Sequence, residues 1–338
     1  MPREHMKNSL LTIFLSFAIM AIAAGCHTPD EVAHEATNFS VALLTPGPVN
    51  DSGWNEAAFD GMELIKAKLG AKTATLQTTA RTEFEPALRD FASRGCNLIF
   101  AHGFVYGDAA LQVAKLYPKT IFIVTSGTVS ASNVDSLDFK EEEAAYVEGV
   151  LAGGMSRSGV VGVVGGIPLP AIKLTFEGFR RGFVSVQPKG RVLESYTGDF
   201  DNVSDAKEAA ISQVEEGADL LMHNADAAGL GVFQAASQAH IYAFGANRNQ
   251  NSVAQEVVLA SAVTEIAKAF LQIAIQVKNG SFHPDTIVLG MKDGMVKVVY
   301  NDRLKDRIPA AARARADAAE QDIIAGKITF PPQQEVRQ

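Results

Sequence analysis

Short apolar segments alternate with helix-forming segments along most of this 338-residue chain. Residues 41–44, 121–124 and 160–164 are almost continuously apolar, and each run is followed by a polar or glycine-containing loop. Such runs are typical of strands that are buried on both faces of a sheet. Helical patterns separate them, for example at residues 83–94 and 141–155. The alternation predicts an α/β fold built from doubly wound parallel sheets with helices on both faces.

Two parts of the chain have a similar order of segments. Residues 95–99 and 217–221 each contain a glycine, a small residue, Asn or Asp, and two aliphatic residues. The similarity continues at the same offset of 122 residues in residues 112–114 and 234–236. This repeat predicts two similar lobes, and a chance match between two strand-helix units is the alternative interpretation. The predicted lobes are joined by short crossings and comprise residues 39–128 plus 246–278 and residues 129–245 plus 279–330.

Residues 1–26 have the features of a bacterial lipoprotein leader. Arg3 and Lys7 precede an apolar run at residues 10–24, and small residues lead to Cys26. The run is too short and wrongly flanked for a stable membrane span. We expect Cys26 to carry lipid, so that the protein is anchored at the surface of the cell envelope and residues 27–38 form a polar tether. The alternative is an ordinary signal peptide followed by an incidental cysteine.

The composition excludes several classes of partner. The formal net charge is −8, and no cluster of basic residues is interleaved with aromatic ones, which argues against a nucleic-acid partner. The chain has only two cysteines, Cys26 and Cys96, so neither a disulfide framework nor a cysteine metal site can form within it. No histidine pair has metal-binding helical spacing. We therefore predict a protein without a metal or cofactor that acts as a monomer.

Catalytic motifs are also lacking. The chain has no nucleophile elbow and no phosphate-binding Walker loop. His102 and His223 end two predicted strands, and Asp108 or Asp226 is the acid that would orient a catalytic histidine. A catalytic site would normally offer more than these residues. We therefore predict that the protein is not an enzyme.

The loop after the first apolar run is the best candidate for a binding site. It contains Asp51, Asn55 and Trp54, the only tryptophan of the chain. Open α/β sheets bind ligands at the carboxyl ends of their strands, where this loop is predicted to lie. An aromatic face beside hydrogen-bonding groups suits a flat, polar small molecule. The alternative is that Asp51 caps the following helix and Trp54 packs over its first turn.

Several motifs together resemble one protein family. They are, in order, residues 50–61, 143–149 (EAAYVEG), 165–168 (GGIP), 176–179 (FEGF) and 291–294 (MKDG). In this order they resemble the basic membrane protein family, the lipoprotein substrate-binding components of bacterial ABC transporters that include purine nucleoside receptors. The resemblance implies two lobes of the type I periplasmic-binding-protein fold that close on a small-molecule ligand. It also implies that ABC permease subunits are partners.

The resemblance assigns roles to individual residues. Asp51 and Asn55 match polar residues that engage the ligand, and Trp54 stands where nucleoside receptors often have Phe. Phe104 and Phe176 match aromatic residues of the two lobes, with packing in the core as the alternative for each. Lys292 matches the lysine of the late Lys-Asp-Gly turn, with a solvated charge as the alternative. Three further polar candidates lie at or after the ends of predicted strands, with a turn cap as the alternative for the last: Asn224, Asp226 and Asn247.

One position departs from the nucleoside receptors. The resemblance implies that those receptors have Gly-Val-Asp where this chain has Gly-Ala-Asn, and that their Asp accepts hydrogen bonds from ribose. Asn247 lacks the charge that strengthens such bonds. We therefore expect a lipid-anchored receptor for a purine nucleoside or a free nucleobase. The alternatives are a receptor for another solute, a nucleoside hydrolase of the envelope, and a sensory surface lipoprotein.

Overall fold

The computed structural model describes residues 38–331, which contain two six-stranded sheets. The strands in chain order are β1 (Ser40–Thr45), β2 (Lys72–Gln77), β3 (Leu98–Ala101), β4 (Ile121–Thr125), β5 (Val134–Phe139), β6 (Val160–Gly165), β7 (Arg191–Tyr196), β8 (Leu220–Asn224), β9 (Tyr242–Gly245), β10 (Val258–Thr264), β11 (Ile287–Leu289) and β12 (Val296–Tyr300). The α-helices are α1 (Trp54–Leu69), α2 (Arg81–Ser93), α3 (Gly107–Ala114), α4 (Glu141–Met155), α5 (Pro170–Val186), α6 (Val203–Glu215), α7 (Gly229–Gln238), α8 (Ile266–Lys278) and α9 (Ala310–Ile324).

The two sheets have equivalent strand orders. The first is β11-β5-β4-β3-β1-β2 and the second is β12-β10-β9-β8-β6-β7. Every neighbouring pair is parallel except β10 and β12, which are antiparallel. Parallel strands need crossover helices, and the central strands β1, β3, β6 and β8 are fully buried or nearly so. The prediction of two doubly wound parallel-sheet lobes is confirmed.

Helices cover both faces of each sheet. In the first lobe α1 packs against α8, and in the second α4 packs against α5 and α9. The α4–α5 contact is unusually close because glycines face the opposite backbone. A Cβ on Gly149 would lie 2.1 Å from the carbonyl oxygen of Phe179, and a Cβ on Gly182 would lie 2.0 Å from that of Tyr146. Only glycine therefore permits this helix spacing.

Three short crossings connect the lobes. They are Lys140 between β5 and α4, Glu265 between β10 and α8, and residues 290–295 between β11 and β12. The backbone N–H of Lys140 donates to the carbonyl of Leu289 at 2.9 Å, and that of Glu265 donates to Met295 at 2.8 Å. The crossings are thus bonded to one another, as expected for a hinge formed at the ends of secondary-structure elements.

The crossing points differ from the predicted division of the chain. β5 lies in the first sheet, beside β4, although residues 129–245 were assigned to the second lobe. β10 pairs with β9 in the second sheet, although residues 246–278 were assigned to the first lobe. β11 pairs with β5 in the first sheet, although residues 279–330 were assigned to the second. Each crossing therefore comes one strand later than expected. The chain adds β5, β10 or β11 to the sheet of one lobe before it passes to the other lobe.

Some predictions concern residues that the structure does not describe. The leader, Cys26 and most of the tether at 27–38 lie outside residues 38–331. Within the described range, no helix combines the length and apolar character needed to cross a membrane. The same range contains no group of three or more His, Cys, Asp or Glu side chains arranged to hold a metal ion.

Candidate ligand-binding site

A cavity of about 360 Å³ lies between the lobes, at the carboxyl ends of the strands. Its walls come from the loops after β1, β3 and β4 of the first lobe and after β6, β7, β8 and β9 of the second. This is where open α/β sheets place ligands. Seven of the nine predicted site residues line it: Asp51, Trp54, Asn55, Phe104, Asn224, Asp226 and Asn247.

Asp51 organises the loop that precedes α1. Its buried carboxylate accepts hydrogen bonds from the backbone N–H groups of Gly53, Asn55 and Glu56 at 2.9, 3.0 and 3.0 Å. It also accepts one from the side-chain amide of Asn55 at 2.8 Å. These N–H groups have no partner within the helix, so the carboxylate satisfies them and favours the positive end of the helix dipole. Asp51 therefore both caps α1 and lines the cavity.

Asn55 presents an unused acceptor to the cavity. Its amide nitrogen is committed to Asp51, which fixes the orientation of the side chain. Its Oδ1 is buried and has no hydrogen-bond partner within residues 38–331. A buried acceptor without a partner costs about 1–3 kcal/mol. A ligand that donates a hydrogen bond to Oδ1 of Asn55 would remove this cost.

Trp54 lies flat against a neutral histidine. The indole stacks on His102 with ring centroids 4.6 Å apart and 20° between the planes. Nε2 of His102 donates to the carbonyl of Trp54 at 3.1 Å, and Nδ1 accepts from Thr125 at 3.0 Å. Burial lowers the pKa of His102 to about 3, so the imidazole carries no charge. His102 therefore supports the indole from behind and is not itself one of the cavity-lining residues.

Asp226 joins the two lobes from the second-lobe side of the cavity. Its Oδ1 accepts from the backbone N–H of Trp54 at 3.0 Å and from Nδ2 of Asn247 at 2.9 Å. Nδ2 of Asn247 also donates to Asn224 at 3.3 Å. Burial, and then the negative charge of Asp51, raise the pKa of Asp226 to about 7. These contacts across the gap describe a closed arrangement of the lobes.

Strained backbone conformations concentrate at this cavity. Among the described residues, five that are not glycine have positive φ angles, and four of them belong to loops around the cavity: Ser52, Ser126, Asp226 and Asn247. Left-handed backbone costs most residues free energy and persists where the surrounding structure enforces it. Their grouping supports a functional role for these loops.

The lining residues that were not predicted include an aromatic residue, Phe200, and a carboxyl group, Glu141. Phe200 follows β7, and its ring packs against Gly166, where a Cβ would come within 2.4 Å of it. Its position in a loop at a strand's carboxyl end was a usable signal, although the resemblance drew attention to Phe176 instead. Glu141 begins α4 directly after the first crossing. Its place in an acidic first turn suggested only a favourable interaction with the helix dipole.

Glu141 has an unusual environment for a carboxyl group. It contacts the side chains of Asn224 and Thr175, and its carboxyl oxygen lies 3.5 Å from the Thr175 hydroxyl, which donates to the carbonyl of Ala171 at 2.9 Å. Burial, followed by the negative charges of Asp138 and Asp226, raises the pKa of Glu141 to about 8. The side chain is therefore mostly protonated at neutral pH and offers one donor and one acceptor.

Two predicted site residues are not at the cavity. Phe176 is 1% exposed and packs in the core, with its ring 5.8 Å from that of Tyr196. The reason is the spacing of Phe176, Phe179 and Phe183, which places all three on the buried face of α5. Lys292 lies in the third crossing and lines a second recess of about 510 Å³ instead. Neither position supports direct contact with a ligand in the cavity.

The cavity wall carries acidic groups and no basic side chain. Five carboxyl groups line it, those of Asp51, Glu141, Asp199, Asp201 and Asp226. Among the described lining residues there is no Lys, Arg or His. Most of the remaining surface is apolar, with Trp54 and Phe200 contributed by opposite lobes. Such a wall suits an uncharged or cationic flat molecule that donates hydrogen bonds, and it disfavours an anion.

Comparison with known proteins identifies the family. The profile of the Bmp family, described as ABC transporter substrate-binding protein PnrA-like, matches residues 39–334. This chain belongs to the Bmp family. The resemblance inferred from the motifs is confirmed, and the protein is an ABC transporter substrate-binding protein of this family.

Two relatives align with most of this Bmp chain. A purine-binding protein of Brucella abortus is 28% identical over 302 residues, which are 88% of this chain and 86% of the relative. The nucleoside-binding protein BmpA of Lactococcus lactis is 26% identical over 354 aligned positions, covering 96% of this chain and 99% of the relative. A solved solute-binding protein of Aeropyrum pernix has a TM-score of 0.81 at 20% identity, covering 88% of this chain and 97% of that one. The last comparison concerns the fold alone.

Proposed function

We propose that this Bmp protein binds a purine base or purine nucleoside between its lobes and delivers it to the membrane subunits of an ABC transporter. The observation that carries the proposal is the placement of Trp54 and Phe200, from opposite lobes, on one cavity rimmed by carboxyl and amide groups. A purine offers two aromatic faces for such rings and a polar edge for the hydrogen-bonding groups. The names of the purine-binding and nucleoside-binding relatives agree with this assignment.

Asn247 favours a free base over a nucleoside. Its amide nitrogen already donates to Asp226 and Asn224. It is therefore not available to a ribose hydroxyl, and the chain has no aspartate at this position to accept one. Recognition of ribose is weakened by both features, because a neutral amide oxygen is a weaker acceptor than a carboxylate.

The charge of the cavity predicts which related compounds do not bind. A nucleotide phosphate would meet the carboxylates of Asp51, Asp199 and Asp201 and no basic side chain among the lining residues. Repulsion between like charges in a site of low dielectric costs several kcal/mol. AMP is therefore the natural negative control for adenine and adenosine.

Calorimetric titration tests the proposal. The ligands would be adenine, adenosine, hypoxanthine and inosine, with AMP, ribose, galactose and leucine as controls. We expect dissociation constants of micromolar or below for at least one purine, and no binding of AMP or of the sugars. Tight binding of a sugar or an amino acid with no purine bound would replace the proposed function. Release of hypoxanthine from inosine during incubation would instead indicate a hydrolase.

We further propose that a lipid on Cys26 anchors the protein at a membrane surface of the cell envelope, on the periplasmic or extracellular side. The support is the leader-like sequence before Cys26, together with a family whose members supply ligands to transporters. Metabolic labelling with a fatty acid tests the anchor. Label is expected on the wild-type protein and absent from Cys26→Ser, while Cys96→Ser serves as the matched control and keeps the label.

A further inference from the structure

Glu141 lies in the wall of the cavity, where it can contact a bound ligand. It lines the wall next to Asn224 and Asp226, at the first residue of α4. Lys140, its neighbour in the chain, pairs with Glu143 at 3.8 Å. Within the described part of the chain, no cation forms a salt bridge with Glu141. Its side-chain contacts are polar but uncharged or acidic.

We propose that Glu141 binds the ligand as an uncharged carboxyl group, donating one hydrogen bond and accepting another, and thereby selects heterocycles with a donor beside an acceptor. This inference rests on the proposed function and adds a residue that determines ligand choice. The hydroxyl of a carboxylic acid donates, and its carbonyl oxygen accepts, so the pair is complementary to a ring nitrogen beside an exocyclic amino group. An ionised carboxylate has only acceptors, so its oxygen and the ring nitrogen would repel each other, with no proton between them.

The groups around Glu141 explain why it keeps its proton. Asp226, from the turn after β8, and Asp138, from β5, face it with negative charge. Thr175 from α5 and Asn224 from β8 are neutral partners. Its own helix adds Glu142 and Glu143 and no cation in the first turn. Burial, and then the charges of Asp138 and Asp226, raise the pKa of Glu141 to about 8, although the hydrogen bonds with Asn224 and Thr175 oppose this shift. The neutral form therefore dominates at pH 7.

The pH dependence of adenine binding tests the proposal, because adenine does not change charge between pH 6 and pH 9. Affinity is expected to fall about tenfold over this range in the wild-type protein, since about one tenth of Glu141 remains protonated one pH unit above its pKa. Glu141→Gln keeps one donor and one acceptor without a titrating proton. Its dissociation constant for adenine is therefore expected to be equal at pH 6 and pH 9.

Asp226→Asn is the second variant, because Asp226 lies in the same wall and its pKa of about 7 falls within the range of the titration. The proposal requires that the pH dependence persists in Asp226→Asn and disappears in Glu141→Gln. A pH profile that is flat in the wild type overturns the inference while leaving purine binding intact. So does a profile that disappears only in Asp226→Asn. If the wild-type protein binds no purine at any pH, the proposed function itself is wrong.

Discussion

The backbone N–H of Trp54 donates a 3.0 Å hydrogen bond to Oδ1 of Asp226, 172 residues away in the sequence and in the other lobe. The bond joins the first turn of α1 to the turn after β8. Ser52 and Gln250 form a second bond across the same gap, from the Gln250 side-chain amide to the Ser52 carbonyl at 3.0 Å. Closure thus brings the backbone of Ser52 and Trp54 into contact with the second lobe, beside the Trp54 indole. Ligand affinity depends on the free energy of these contacts between the lobes.

Gly53→Ala is predicted to impair closure. A Cβ at this position would lie 2.3 Å from Oδ1 of Asp226 and 3.0 Å from its Cα, and such contacts require a shift. We expect ligand affinity to fall by at least about tenfold, or about 1.4 kcal/mol. The melting temperature of the ligand-free protein should change little, because the clash is with the opposite lobe. Calorimetric binding and thermal unfolding measure the two effects, and an unchanged dissociation constant would contradict this role for Gly53.

Arg248→Met is predicted to weaken binding by two- to fivefold. Arg248 of the second lobe forms ion pairs with Glu56 at 2.5 Å and with Asp60 at 2.7 Å, both on α1. These side chains are partly exposed, so each pair contributes about 0.2–1 kcal/mol and is weakened by salt. Titrations at low and high ionic strength should show less salt dependence in the variant than in the wild type.

Arg303→Met is the matched control for this substitution. Arg303 pairs with Glu256 at 3.1 Å within the second lobe and does not cross the gap. The Arg303→Met substitution should leave both the ligand affinity and its salt dependence as in the wild type. Equal effects of the two substitutions would indicate that the lower net charge of the protein, and not the loss of an ion pair between the lobes, explains the result.

Trp54→Ala is predicted to reduce purine affinity by about 1–3 kcal/mol, the usual contribution of stacking one base on an aromatic side chain. Trp54→Phe should retain part of this contribution because it keeps an aromatic face. Phe282→Ala removes a half-buried ring that does not line the cavity and should not change affinity. Calorimetric titration with adenine compares the three variants. Loss of binding in Phe282→Ala equal to that in Trp54→Ala would remove the stacking interpretation.

Glu148→Met is predicted to stabilise the protein at alkaline pH. Glu148 is fully buried, and neither of its carboxyl oxygens has a hydrogen-bond partner among the described residues. Burial raises its pKa well above the ordinary value. The folded state therefore holds a proton that the unfolded state releases, so stability falls as pH rises above the unfolded pKa.

Urea unfolding at two pH values measures this effect. The free energy of unfolding of Glu148→Met should exceed that of the wild type by about 1–3 kcal/mol at pH 8, and by less at pH 5. Glu208→Met is the control, since Glu208 is exposed on α6 and its substitution should have no comparable effect at either pH. A difference between Glu148→Met and the wild type that grows toward acid pH would contradict the assignment.

The sequence predicted the fold well where hydrophobic periodicity was clear. α4 was predicted with its observed bounds, and β1, β4 and β6 within a residue or two. β5 was missed because its sequence, VDSLDF, mixes polar and apolar residues. Asp135 is nevertheless buried there, accepting from the backbone N–H groups of Ser136 and Asp285. The missed strand displaced the predicted first crossing by one element.

The sequence placed residues at the cavity where loops follow strands, and less well within helices. Asp51, Trp54 and Asn247 line the cavity because parallel strands carry the segments that follow them to one end of the sheet. Phe176 of α5 lies in the core instead, because three phenylalanines share the buried face of that helix and periodicity cannot say which ring reaches a cavity. Glu141 was overlooked since its contacts depend on the turn after β8, over 80 residues away in the chain.

The position of Trp54 gives the protein an internal optical probe. It is the only indole in the chain, and it stacks on uncharged His102 while lining the cavity. Its emission therefore originates from one place, and a purine laid over the indole would quench it without any attached dye. Closure also removes water from around the ring, which shifts the emission to shorter wavelength. A stopped-flow record of intensity and colour together would separate ligand arrival from the motion of the lobes.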